Sequence, residues 1–147
     1  MSTIKNIDGP KDFVFRVLSG VAIGIVAGLV PNAILGEIFK YFMQYHPIFK
    51  TLLGVVQAIQ FTVLALIGAL IAMKLNMTPL AIAVVASASY VGSGAAQFKQ
   101  GTWVIAGIGD LINTMLTASI AVLLILLIEE RVGSMALIVF PTVVGGL

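Results

Sequence analysis

Long apolar runs, separated by short polar stretches, dominate the pattern of the chain. The runs cover residues 13–30, 51–73, from about 80 onward, 110–128 and from 132 to the end. Proline disfavours helical geometry in the residue before it, so we expect the first run to end at Pro31-Asn32. About 20 apolar residues cross the roughly 30 Å hydrocarbon core of a bilayer. The pattern therefore predicts an all-α integral membrane protein with about five transmembrane helices.

Two segments do not fit this simple alternation of spans and turns. Residues 33–50 mix aromatic side chains with charged ones, which favours an interfacial helix or hairpin over a span. Residues 92–109 contain five glycines and one lysine, a composition poorly suited to a helix that faces lipid. We expect this glycine-rich segment to be a loop or a re-entrant segment buried in protein.

Composition supports the membrane assignment and excludes several functions. Apolar residues make up 60% of the 147 and charged residues 10%, far from the average of soluble domains. The net charge is +2 without a cluster of basic residues, so nucleic-acid binding is not expected. The chain has no cysteine and one histidine, His46, which predicts no metal site and no cofactor. No nucleophile or phosphate-loop pattern is present, so we do not expect an enzyme.

The basic residues predict an orientation for these spans. With a cytoplasmic N-terminus, five of the eight fall inside, as the positive-inside rule favours. Those inside are Lys5, Lys11, Arg16, Lys74 and Arg131, and those outside are Lys40, Lys50 and Lys99. An odd number of spans would require a tandem second copy to enter from the opposite face, forming an inverted repeat.

Polar and small residues within the runs mark candidate packing and binding positions. Gly20, Gly24 and Gly28 form two overlapping GxxxG steps, which serve either packing within the fold or a dimer contact. Gln57 and Gln60 share one face of the second run. Buried amides of this kind either join neighbouring helices by hydrogen bonds or face a solute.

The start of the fourth run carries a polar stripe. Asp110, Asn113, Thr114 and Thr117 recur with helical spacing and must face protein or water. Asp110 also follows a glycine and could simply cap the helix by accepting hydrogen bonds from the next amides. Capping leaves the other three residues unexplained, so the stripe is a candidate binding region.

Several stretches together resemble a known family. They are GVAIGIVAGLVPNAILG, GVVQAIQFTVLALIGALIA, SYVGSGAAQF and GIGDLINTMLTASIAVLLILLI. They look like the second type of membrane EIIC domain of the bacterial sugar phosphotransferase system, a group that includes regulatory membrane proteins. The similarity covers essentially all 147 residues as one transmembrane domain. Family members are typically about twice as long, so the chain resembles their N-terminal half.

This resemblance implies a location, a function and partners. It implies a multi-pass protein of the inner (plasma) membrane that binds a sugar near the midplane, with phosphoryl transfer supplied by separate EIIA and EIIB proteins. Sugar sites of such domains usually involve a carboxylate and a histidine, roles for which Asp110, Glu37 and His46 are the candidates. A homodimer or a second half-domain is the expected partner within the bilayer.

Three hypotheses follow from the sequence. The first is a transporter-like protein that binds a small polar solute, a sugar, between the stripe, the two glutamines and the glycine-rich segment. The second is a membrane regulator or scaffold that transports nothing. The third is an amphiphile-binding membrane protein that uses apolar grooves and interfacial aromatic residues.

Overall fold

The computed structural model describes residues 9–132, which form a helical bundle with one β-hairpin. The elements in this range are α1 (Pro10–Phe42), α2 (Ile48–Gln60), α3 (Val63–Lys74), α4 (Pro79–Gly92), β1 (Ala96–Lys99), β2 (Thr102–Ile105) and α5 (Leu111–Val132). The predicted fifth apolar run lies outside the described residues except for its first position. Helix dominates as predicted, but the hairpin shows that the chain is not entirely α-helical.

Helix α1 continues through Pro31, so the predicted helix end at this residue is wrong. It contains 33 residues, a length of roughly 50 Å at the α-helical rise. Proline lacks the N–H that would bond the preceding turn. Beside this gap, the Asn32 Nδ2 donates to the Gly28 carbonyl oxygen at 2.5 Å and supplies an extra donor to that turn. Residues 33–42 therefore belong to α1 and do not form a separate interfacial helix.

The predicted second span is broken near its middle. Helices α2 and α3 meet at Phe61-Thr62 with a bend of 40°. At this point the amides of Phe61 and Thr62 bond the carbonyls three residues earlier, and the Thr62 hydroxyl donates to Ile59 O at 2.8 Å. These tighter bonds interrupt the α-helical pattern.

The number of helices that could cross a membrane is smaller in the described residues than the sequence predicted. Within residues 9–132, α1 and the Leu111–Ile128 part of α5 are long and apolar enough, and the bent α2–α3 pair makes a third span if counted as one. Helix α4 is apolar but has only 14 residues. The prediction of five spans counted the apolar run from about residue 80 as a span, whereas this run forms the short helix α4.

Helix α3 lies at the centre of the bundle and packs against α1, α4 and α5. Leu64, Ile67 and Ile71 are fully buried there, together with Val85 of α4 and Ile125 of α5. The antiparallel contact with α1 uses small residues on one side. The facing pairs are Gly20 with Ile71, Gly24 with Ile67 and Gly28 with Val63. We call this contact the glycine seam.

The glycine-rich segment forms an antiparallel hairpin rather than an irregular loop. Its strands pair Phe98 with Trp103 and Lys99 with Thr102. The two turn residues, Gln100 and Gly101, both have positive φ, 51° and 83°. This conformation matches the right-handed twist of two paired strands. The Ala106 amide donates to Ala95 O at 2.8 Å and closes the base of the hairpin.

Candidate functional site

A polar cavity of about 290 Å³ lies between the C-terminal half of α1 and α2. Its lining consists of Asn32, Ala33, Gly36, Glu37, Lys40, Leu53, Val56, Gln57 and Gln60. We call it the amide cavity, after the three carboxamide side chains in its wall. Its volume is close to the lower end of ligand-binding pockets, about 300 Å³.

The two glutamines bring unused hydrogen-bonding capacity to this cavity. Within residues 9–132, neither the Gln57 nor the Gln60 side chain has a protein hydrogen-bond partner, whereas the Asn32 amide is bonded to α1. Each carboxamide offers two N–H donors and one carbonyl acceptor. Gln60 is half-buried and Gln57 is exposed. The cavity wall can therefore bind a solute or water through at least two free amides.

An ion pair lies beside these amides on the α1 side of the cavity. The Lys40 Nζ is 2.6 Å from the Glu37 Oε1, and both side chains are more than half exposed. Exposed pairs of this kind contribute little to stability. The pair adds one carboxylate acceptor and one ammonium donor to the cavity lining.

Asp110 caps α5, as the capping interpretation predicted. Its Oδ1 accepts from the amide of Ile112 at 2.7 Å and from that of Asn113 at 3.2 Å. Its own amide donates to Ser93 O at 2.9 Å and so joins the start of α5 to the end of α4. The carboxylate lies at a helix N-terminus, where a negative charge is favourable.

The rest of the polar stripe divides between solvent and helix packing. Asn113 is exposed, like Asp110. Thr114 is buried, and its hydroxyl donates to Asp110 O at 2.6 Å. Thr117 packs against Gly92 so closely that any side chain at that glycine would collide with it. Two of the four residues are thus explained by local packing.

The structure groups the predicted residues differently from the sequence. Gln57 and Gln60 line the amide cavity, but none of the four residues of the α5 stripe belongs to its lining. The sequence predicted one site between the stripe, the glutamines and the glycine-rich segment. In the structure, the glutamines line the amide cavity and the stripe lies outside its lining. The glycines of the seam, Gly20, Gly24 and Gly28, contact α3 of the same chain.

Sequence reasoning missed Asn32 and Lys40 as lining residues. The sequence predicts a helix end at Asn32, although this residue continues the four-residue spacing of Gly24 and Gly28. That spacing reaches Gly36, and all of these positions are buried on one face of α1. The periodicity could have identified the cavity side of α1 if Pro31 had not been read as a stop.

His46 lies in the turn between α1 and α2. Its Nδ1 accepts from the Ile48 amide at 3.1 Å, and the residue is exposed. It does not line the amide cavity. In the part of the chain from residue 9 to 132, no three His, Cys, Asp or Glu residues are grouped so that they could hold a metal ion.

Comparison with known proteins gives one match. A family model described as "Phosphotransferase system, EIIC" matches residues 15–147, which include nearly all of α1 and every later element. No curated protein and no solved structure matches the chain.

Proposed function

The chain belongs to the EIIC family of the phosphotransferase system, and from this premise we propose that it binds a small polar solute, a sugar, in the amide cavity. EIIC domains are permease components rather than phosphotransferases, and the apolar helices agree with a membrane location. The observation that carries the proposal is the pair of glutamine amides that have no hydrogen-bond partner among residues 9–132 and line a polar cavity of an otherwise apolar protein.

The chemistry of the lining fits a polyol. Sugar hydroxyls both donate and accept hydrogen bonds, and the amides of Gln57 and Gln60 can do the same. Glu37 adds an acceptor and Lys40 a donor. In a chain surrounded by lipid, such groups need polar partners. Transfer of an unpaired polar group from water to a solvent without hydrogen bonding costs about 4–8 kcal/mol of free energy. A bound sugar or water supplies these partners.

We further propose a cytoplasmic N-terminus. The guanidinium of Arg16 donates to Lys74 O at 3.2 Å, so both basic residues lie at the same end of the bundle. Lys40 lies 24 residues further along α1, roughly 36 Å away at the helical rise. Arg16 and Lys74 therefore lie at one end of the bundle and Lys40 at the other. The proposed orientation places the first end on the cytoplasmic side, where the positive-inside rule expects more basic residues.

Phosphoryl transfer to a bound sugar is assigned in this proposal to separate EIIA and EIIB proteins. Membership of the EIIC family supports such partners. The chain has no cysteine to act as a phosphoacceptor. What this chain contributes is the binding and orientation of the sugar.

Equilibrium binding of radiolabelled hexoses, hexitols and disaccharides to the purified protein in nanodiscs tests the proposed site. Replacing both glutamines, Gln57→Leu with Gln60→Leu, removes hydrogen bonds of about 1 kcal/mol each and should raise Kd about 30-fold. Gln97→Leu, in the exposed hairpin, is the matched control and should bind like the wild type. Equal binding by the double variant and the control would contradict the proposed site.

Two further measurements separate neighbouring hypotheses. Solute binding without flux in reconstituted vesicles would favour a regulator over a transporter.

The Oδ2 of Asp110 has no partner within residues 9–132, and Asn113 is exposed, so a contribution of α5 to binding stays part of the proposal. Asp110→Asn with Asn113→Ala should then weaken binding in a monodisperse protein. Unchanged binding would limit the pair to capping.

A further inference from the structure

The β-hairpin has two chemically different faces. Successive residues of a strand point to opposite sides, and directly paired residues share a side. From the pairing of β1 with β2, one face carries Ala96, Phe98, Trp103 and Ile105. The other face carries Gln97, Lys99, Thr102 and Val104. The hairpin is therefore amphipathic, with an entirely apolar face that we call the aromatic face.

The aromatic face is not packed against the bundle. Phe98 is 62% exposed and Trp103 63%, and their rings contact each other with centroids 5.5 Å apart. Ile105 is also exposed. Within residues 9–132, the main helix contact of β1 is with α4, which precedes it in the chain. The aromatic face is thus available to the surroundings of the protein.

The position of the hairpin along the bundle can be estimated from the helices. Helix α4 begins just after Lys74, at the end of the bundle where Arg16 lies. Its 14 residues rise about 21 Å, which is shorter than the roughly 30 Å of hydrocarbon. Three strand residues, Ala96 to Phe98, add about 10 Å. The Asp110 amide bonds Ser93 O, so the hairpin joins the bundle where α4 ends and the candidate span Leu111–Ile128 begins. The pair Phe98–Trp103 therefore lies at the end of the bundle opposite Lys74.

We propose that the hairpin is an interfacial anchor that inserts its aromatic face into the phospholipid headgroup region, in the leaflet opposite Lys74. Trp is enriched at this depth because its ring is apolar and its N–H needs a polar partner. Lys99 and the turn at Gln100-Gly101 lie beyond the ring pair, where the ammonium meets lipid phosphates and water. The outer edges of both strands stay hydrated, as the hydrocarbon core could not satisfy them.

Trp103 is the only tryptophan of the chain, so its fluorescence reports this face alone. The probe is the full protein in phosphatidylcholine–phosphatidylglycerol vesicles that contain lipids brominated at defined chain positions. We expect a blue-shifted emission, quenched most by lipids brominated close to the headgroup and least by those brominated near the terminal methyl. Acrylamide in the water should quench it weakly.

Matched variants move the single tryptophan within the hairpin. Trp103→Phe with Phe98→Trp keeps it on the aromatic face and should retain the quenching by lipid. Trp103→Phe with Val104→Trp moves it to the opposite face, where acrylamide should quench and brominated lipid should not. Trp103→Phe with Thr102→Trp provides a second position on that face if the first variant does not fold.

Three results would overturn the inference. Quenching of Trp103 by acrylamide alone would place the aromatic face in water. Quenching by neither agent would show that protein, such as a second copy of the chain, covers it. Equal quenching by lipid on both faces would contradict the amphipathic placement. None of these measurements depends on solute binding, so the outcome is independent of the proposed function.

Discussion

The two halves of α1 share one sequence spacing but make different contacts. In the glycine seam, a Cβ at Gly20 would lie 2.7 Å from the Cα of Ile71. On the same face, four turns further along, the nearest atom to a Cβ at Gly36 is Leu53 Cδ1 at 3.9 Å. Asn32 lies between the two regions. Small residues at a four-residue interval therefore make a dry helix contact against α3 and a polar cavity against α2.

The difference arises from the partner helix rather than from α1. Helix α3 presents the branched side chains of Val63, Ile67 and Ile71 to the seam, and these fill the groove made by the glycines. On the other side of the 40° bend, α2 presents Gln57 and Gln60 to α1 instead, and α1 and α2 leave a cavity between them. The bend thus separates the tightly packed glycine seam from the amide cavity.

The largest effect expected from this comparison is on stability. Gly20→Ala forces a methyl group against the backbone of α3, and overpacking of this kind costs about 1–3 kcal/mol. Gly36→Ala adds the same group where space exists, so it should be neutral or slightly stabilising, since alanine favours helix by up to about 1 kcal/mol. Unfolding of both variants in detergent gives the two values. Equal losses would show that the two regions pack alike.

Filling the cavity should affect binding more than folding. Gly36→Leu places a large apolar side chain in the lining and should weaken sugar binding about tenfold or more, a change of about 1.4 kcal/mol. The melting temperature of the protein should remain close to that of Gly36→Ala. Ala27→Leu, on an exposed position of α1, is a control for added bulk. Wild-type binding by Gly36→Leu would place the sugar outside the amide cavity.

A smaller change is expected at the start of α5. Asp110→Ala removes the acceptor for two amides and should lower stability by about 1 kcal/mol. Asp110→Asn keeps an acceptor there and should lose much less, because asparagine caps helices about as well. Thermal unfolding of the two variants compares them. A loss as large in Asp110→Asn would indicate that the charge, rather than the cap, matters.

The sequence predicted those features that depend on local chemistry. The cap at Asp110 and the end of α3 near Lys74 follow from residue type and hydropathy over a few positions. Pro31 misled the prediction because the bonding of Asn32 to Gly28 and the packing of α2 are properties of the folded chain. Neither the bend at Phe61-Thr62 nor the hairpin could be inferred from hydropathy, since both flanks of the bend are apolar and the hairpin lacks an Asn-Gly turn.

The candidate site was predicted only in pieces. The sequence places Gln57 and Gln60 on one helix face, although Gln57 is exposed rather than buried. Their neighbours across the cavity come from α1, more than 15 residues earlier in the chain. Helical spacing joins residues on one helix and gives no information about the helix opposite. The contact of Thr117 with Gly92 of α4 was likewise not predictable from spacing on α5, whereas the bond of Thr114 to the Asp110 carbonyl is local to the helix.

The most direct test of solute binding in the amide cavity is protection of an introduced thiol. The chain has no cysteine, so Gln57→Cys creates a single reactive site in the lining, and Gln97→Cys creates a matched one on the hairpin. At about ten times the Kd measured for the labelled variant itself, a sugar that occupies the cavity should slow maleimide labelling at position 57 about tenfold and leave position 97 unchanged. Equal labelling rates at position 57 with and without every sugar that binds the protein would contradict the proposed site.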